Sequence, residues 1–249
     1  MVNAQLSADM KKAGFVQTLP KTRKRLIIAT DGREKTGKTR FALTAPGPIV
    51  FINFDYGLEG PLIEEYGHKI SAIRSFGSQL EAGKMPSMKQ AEEIWLDIAN
   101  SFKVAMASGA RTVIVDTFSD AWDWARLAHF GKFTQVQPHN YGEVNDMTRR
   151  LLMECHKHDS NVILIHKNKE EYKNNSPTGA MKRAGMKDMG YAVHANATHY
   201  FDPVKRFSLK IADARQNMDL AGMEFEGDQV TFPYIAEMVF PNTTEKDWK

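Results

Sequence analysis

The amino-acid sequence predicts an α/β protein with a mainly parallel sheet, helices on both faces of it, and antiparallel strands at its C-terminal end. Three observations carry this expectation. Short runs that are apolar throughout recur along the chain, segments with apolar residues at helical spacing separate them, and beyond Phe201 the alternation gives way to strands joined by turns. A strand without a polar face must be covered on both sides, which is the condition of a parallel sheet between two helix layers. The chain has 249 residues, 42% of them apolar, enough for one large core. The expected organisation is a basic arm over 1–25, one domain over 26–240 and a tail over 241–249.

Taken in order, Leu26-Ile27-Ile28-Ala29 is a buried strand that delivers the chain to Thr30-Asp31-Gly32, and a helix follows from about Thr36 to Leu43. Ala45-Pro46-Gly47-Pro48 stops that helix, and Ile49-Val50-Phe51-Ile52 is the second strand. Ser87 and Gln90 have the spacing of a capping box, and Ala91, Ile94, Trp95, Ile98, Phe102, Ala105 and Met106 then recur on one helical face. Thr112 to Asp116 is the third strand. Val144, Met147, Leu151, Leu152 and Cys155 mark another helix, and Val162-Ile163-Leu164-Ile165 the fourth strand. Arg206 to Ile211 and Val230-Thr231-Phe232 read as the added strands.

Composition narrows the setting. A net charge of +3 neither demands nor excludes an anionic partner. The single cysteine, Cys155, permits no internal disulfide and fits a reducing, cytoplasmic interior. No apolar run reaches the length of a membrane span, so no membrane role is expected. His156 and His158 lack a carboxylate cluster or a cysteine partner and do not read as metal ligands. The segment from Lys11 to Arg25 carries six cations and no acid, which fits either a basic arm or a solvated leader.

Gly32, Arg33, Glu34, Lys35, Thr36, Gly37, Lys38 and Thr39 match the spacing of a Walker A phosphate loop without a mismatch, between a strand and a helix as that motif requires. The glycines let the backbone wrap closely, and amides at the helix start, including that of Arg40, point at phosphate oxygens. Lys38 is the expected phosphate cation and Thr39 a magnesium ligand. Asp116, at the end of a buried strand, is the expected second metal residue, and Thr117 follows it where some ATPases place a glutamate. The carboxylate that orients water is then expected at Asp55, with Glu59 in reserve; turn and cap chemistry around Gly57 and Gly60 is the competing reading.

Phe51-Ile52-Asn53-Phe54-Asp55 and Val113-Ile114-Val115-Asp116-Thr117 resemble the RecA-like ATPases, and more narrowly the compact RecA-core, AAA-type nucleotide-binding proteins of bacteriophages used in recombination and single-strand annealing. The resemblance implies an ATPase that uses ATP and magnesium, binds single-stranded DNA and forms a homo-oligomer with ATP at subunit interfaces. A phage single-strand-binding protein is an implied partner and the host cytoplasm an implied location. It also implies a polar sensor after the fourth strand, here His166 or Lys167 in place of the glutamine common in recombinases. Two DNA-binding loops are implied, over Gly131 to Gly142 and Lys167 to Gly190, the second holding Lys169, Tyr172, Lys173, Lys182, Arg183 and Lys187. Cations that neutralise phosphates and a ring that stacks on a base are what such a loop needs. Arg215, and less so Lys210, occupy the region from which such oligomers insert a cation into a neighbour's site.

The alternative reading is a nucleotide or small-molecule kinase, with Lys167 to Gly190 as a lid over the phosphates. A guanine-reading Asn-Lys-x-Asp motif is absent, since Asn168-Lys169-Glu170-Glu171 ends in the wrong residue. A non-hydrolysing scaffold that holds ATP is the remaining alternative.

Overall fold

The computed structural model describes residues 8–14, 23–55, 57–58, 60–77, 86–131, 136–173, 176–204 and 206–248. Its elements in chain order are α1 (Ala8–Lys12), β1 (Ile27–Gly32), α2 (Lys38–Leu43), β2 (Ile49–Asn53), α3 (Pro61–Tyr66), β3 (Ile70–Ser75), α4 (Met88–Ala107), β4 (Thr112–Asp116), α5 (Phe118–Phe130), α6 (Gly142–Cys155), β5 (Asn161–Ile165), β6 (Asn168–Lys173), β7 (Ser176–Arg183), β8 (Ala195–Phe201), β9 (Phe207–Ala214), β10 (Glu224–Glu226) and α7 (Phe232–Val239). Eight strands form one sheet in the order β10-β9-β8-β1-β5-β4-β2-β3, and β6 and β7 make a separate hairpin. From β8 across to β3 the neighbours run parallel, whereas β9 and β10 are antiparallel.

Alternate residues of the central strands go to opposite faces, as the period of a strand dictates. Ile27, Ala29, Val113, Val115, Val162 and Leu164 pack under α4, α5 and α6 with Trp95, Phe102, Phe118 and Leu151. Leu26, Ile28, Ile114, Ile163 and Ile165 face the other way, toward Phe41 of α2 and Phe232, Ile235 and Val239 of α7. Both faces are therefore dry, which is why these strands carry no polar alternation. α4 starts at the expected capping box: Gln90 N–H donates to Ser87 Oγ at 3.3 Å, and Ser87 N–H donates to Gln90 Oε1 at 2.9 Å.

The structure differs from the sequence expectation in its C-terminal strands. Val230-Thr231-Phe232 is not a strand: Thr231 stands at the N-cap of α7 with Pro233 in its first turn, and Phe232, Ile235, Ala236 and Val239 bury one helical face. The third C-terminal strand is the short β10 instead. Within the expected C-terminal tail, Trp248 is fully buried against Phe232 and Phe240. Most of the expected basic arm lies outside the described residues. Its last part is fixed to the domain: Arg25 pairs with Asp159 at 3.0 Å, and the buried Arg111, just before β4, donates to Lys24 O at 3.0 Å and to Asp247 O at 2.9 Å.

Candidate nucleotide site

The carboxyl ends of β1, β2, β4 and β5 lie at one level of the sheet, with Thr30 opposite Ile165, Ile165 opposite Asp116, and Asp116 opposite Asn53. Open α/β sheets bind ligands along this edge. The loop Gly32 to Gly37 leaves β1 there and enters α2, which begins at Lys38 rather than at Thr36 because Gly37 takes the left-handed conformation at φ 87°. Close approach fixes the residue type at both ends of the loop. A Cβ on Gly32 would lie 2.5 Å from His199 O, and one on Gly37 would lie 2.6 Å from Phe207 Cδ1. Lys35 is also left-handed, at φ 59°, which turns successive amides inward as an anion-binding nest requires.

Lys38 lies over this loop, its Nζ donating to Gly32 O at 3.1 Å and Arg33 O at 2.6 Å. Burial lowers its pKa, while the carboxylates of Asp116 and Asp55 pull it back up. Thr39 Oγ1 donates to Asp116 Oδ2 at 2.7 Å. Burial raises the Asp116 pKa to about 6, against the lowering effect of the Thr39 hydrogen bond. A buried carboxylate beside a hydroxyl is a hard-oxygen donor pair that fits a magnesium ion, so Thr39 and Asp116 would hold one. Asp55 also lines the cleft, and its Oδ1 accepts from Gly57 N–H at 2.7 Å, so it closes the turn that the competing reading assigned to it. Glu59 lies outside the described residues. The cleft, of about 660 Å³, is bounded by the phosphate loop, Arg40, Asp55, Asp116, Lys167, Asn168 and Phe207.

His166 does not face this cleft. Its ring is wholly buried between Phe118 and the Ala184 carbonyl, and burial pushes its pKa down to about 3. Of the two expected sensors only Lys167 reaches the cleft. Its Nζ bonds Asp120 Oδ1 at 2.7 Å, and Asp120 Oδ2 accepts from Thr117 Oγ1 at 2.6 Å, one residue past Asp116. Asn168, which the sequence reading passed over, lines the cleft beside it.

Lys167 to Gly190 is not a loop throughout. Most of it is the exposed hairpin of β6 and β7, followed by a 3-10 turn from Lys187 to Ala192. Lys169, Tyr172 and Lys173 stand exposed on it, Lys182 pairs with Glu171 at 3.5 Å, and desolvation is the main cause that lowers the Lys169 pKa. The side chain of Lys187 lies outside the described residues. Arg183 departs from the expected DNA-binding role: it turns inward, its Nε on Asp31 Oδ2 at 2.9 Å and its Nη1 on Asn196 Oδ1 at 2.7 Å. Thr198 donates to the other oxygen of Asp31 at 3.0 Å. The hairpin is thus fixed at both roots to residues next to the phosphate loop and next to Asp116.

Arg215 sits at the opposite edge of the sheet. Its backbone N–H donates to His194 O, His194 N–H in turn donates to Ile27 O at the start of β1, and the Arg215 guanidinium donates to Tyr191 O at 2.6 Å. Within one chain it cannot touch the loop, so a role at a nucleotide requires a second copy. Lys210 bonds Glu224 at 2.9 Å. Of the first expected DNA loop, residues 132–135 lie outside the description, and its end is pinned by Tyr141 stacked on Trp122 at 5.7 Å.

Comparison with known proteins gives a family. The profile of the AAA domain matches residues 24–232. No curated protein matches the chain. Among solved structures, the RadB recombinase superposes with a TM-score of 0.48 at 12% identity, over 81% of this chain and 86% of that one.

Proposed function

The chain belongs to the AAA domain family, and from that premise we propose that it is a magnesium-dependent ATPase of RecA-like type that binds single-stranded DNA. The observation that supports this best is the 2.7 Å contact of Thr39 Oγ1 with Asp116 Oδ2 beneath a complete phosphate loop, at the sheet edge where Asp55 and Lys167 also converge. The loop amides hold the phosphates, and Lys38 exchanges its carbonyl partners for phosphate oxygens. Magnesium supplies charge that offsets the negative charge of the triphosphate. Asp55 orients the attacking water, and Lys167 places a positive charge toward the terminal phosphate. Strand binding falls to the β6–β7 hairpin, which carries cations and Tyr172. Bacteriophage recombination or annealing is the setting in which we place this activity, with ATP shared between copies in an oligomer so that Arg215 of one approaches the site of the next.

The direct test is phosphate release from ATP with magnesium, measured with and without single-stranded DNA. We expect stimulation by the strand in the natural sequence and loss of turnover by about a hundred-fold or more in Lys38→Ala. Turnover that survives in Lys38→Ala would sink the assignment of the site. Transfer of phosphate to a small-molecule acceptor without release to water would point to the kinase reading instead.

A further inference from the structure

The phosphate loop has unlike flanks. Asp116, Asp55 and Lys167 crowd the side of β5, β4 and β2, whereas on the side of β8 and β9 the cleft is closed by the ring of Phe207. A nucleotide that directs its terminal phosphate and metal toward Asp116 extends its sugar and base the other way, toward that ring.

The ring is held firmly. One part of it covers Gly37 so closely that no Cβ fits between, and Phe201, its partner across the β8–β9 pair, lies 5.1 Å away centroid to centroid at 32°. Phe201 is itself 43% exposed. Among the described residues of the connecting turn, the polar groups are engaged with one another. Asp202 Oδ1 accepts from Val204 N–H and Arg206 N–H, and Asp202 Oδ2 accepts from Arg206 Nε, while the Arg206 guanidinium also pairs with Glu226. Among the described residues, what this flank offers a ligand is therefore an apolar aromatic wall.

We propose that Phe207, backed by Phe201, is the seat of the nucleobase of a nucleoside triphosphate. This rests on the phosphate-loop reading and adds to it the part of the ligand that is not phosphate. A base needs no edge contact to gain from such a wall, because each base carries a π-face.

The experiment measures the affinity of the full chain for magnesium-ATP and for magnesium tripolyphosphate, which has the phosphates and no base. Phe207→Ala is expected to weaken ATP by about ten-fold or more and to leave tripolyphosphate unchanged, while Phe207→Tyr retains ATP affinity. Unchanged ATP affinity in Phe207→Ala overturns the proposal. So does an equal loss for both ligands, which would mean that the ring serves only to hold Gly37. Tripolyphosphate binding to the natural sequence as tightly as ATP removes the base site while the phosphate loop stands. Binding of neither ligand removes the phosphate-loop reading, and this proposal with it.

Discussion

Asp31 is 6% exposed and lies between the apolar run of β1 and Gly32, so its charge needs a partner inside the protein. Arg183 supplies it from the root of the hairpin, and the planar guanidinium serves Asp31 and Asn196 together. Arg183→Ala leaves a buried carboxylate with only the Thr198 hydroxyl, and we expect it to cost about 3 kcal/mol of stability by chemical denaturation. Arg183→Lys should recover little of that, since an ammonium cannot span both acceptors. A denaturation midpoint unmoved in Arg183→Ala would show that the pair carries no such weight. The placing of the phosphate loop beside Asp116 was legible in the sequence because it follows from local spacing at two strand ends. Arg183 was not, because its partner lies 152 residues away in the chain and a cation in a polar segment looks alike whether it points in or out. His166 misled for a similar reason: the strand before it was clear, but burial against Phe118 is a property of packing.

In the proposed function, the hairpin of β6 and β7 is the element that carries strand binding. The proposed function leaves Lys169, Lys173 and Lys182 to neutralise phosphates, Arg183 being committed elsewhere. Replacing those lysines together with alanine should weaken single-stranded DNA binding and reduce the slope of log affinity against log salt by about 2, near 0.7 for each phosphate no longer neutralised. Affinity and slope that stay as they were would take the hairpin out of the interface. The segment was readable as too polar for core, but not as paired strands, because its alternation has no apolar face to fix a register. Strands of this length also work as a lever. At about 3.3 Å per residue an arm of six to eight residues reaches roughly 20 Å, so a tilt of about 5° at the roots moves the tip by nearly 2 Å. The roots are where Asp31 and Asp120 hold it, so under the proposed function a small shift around bound phosphate would be enlarged at the tip.

At the scale of the whole molecule, the fold class was legible because a sheet buried on both faces leaves its mark on every central strand, whereas α7 was missed because its apolar residues begin directly after a strand-like triplet. Burial has a further outcome in the imidazoles of His166, His194 and His199, whose pKa values are pushed from 6.5 down to about 3, 4 and 3, chiefly by desolvation. A depressed histidine favours the folded state fully above its unfolded pKa, and this contribution is lost as pH falls from about 6.5 to the folded values, about 4 for His194 and about 3 for His166 and His199. We therefore expect stability to fall by about 2 kcal/mol for each imidazole between pH 7 and pH 5, read from urea midpoints at the two values. Equal midpoints would mean that these rings are not kept dry. Arg111 carries the last consequence. It gathers Lys24 and Asp247 at the foot of β4, while the cleft opens at the far end of the same strand. A surface tether or fluorescent reporter attached near either of those residues would hold the protein with the mouth of the cleft turned outward and unobstructed.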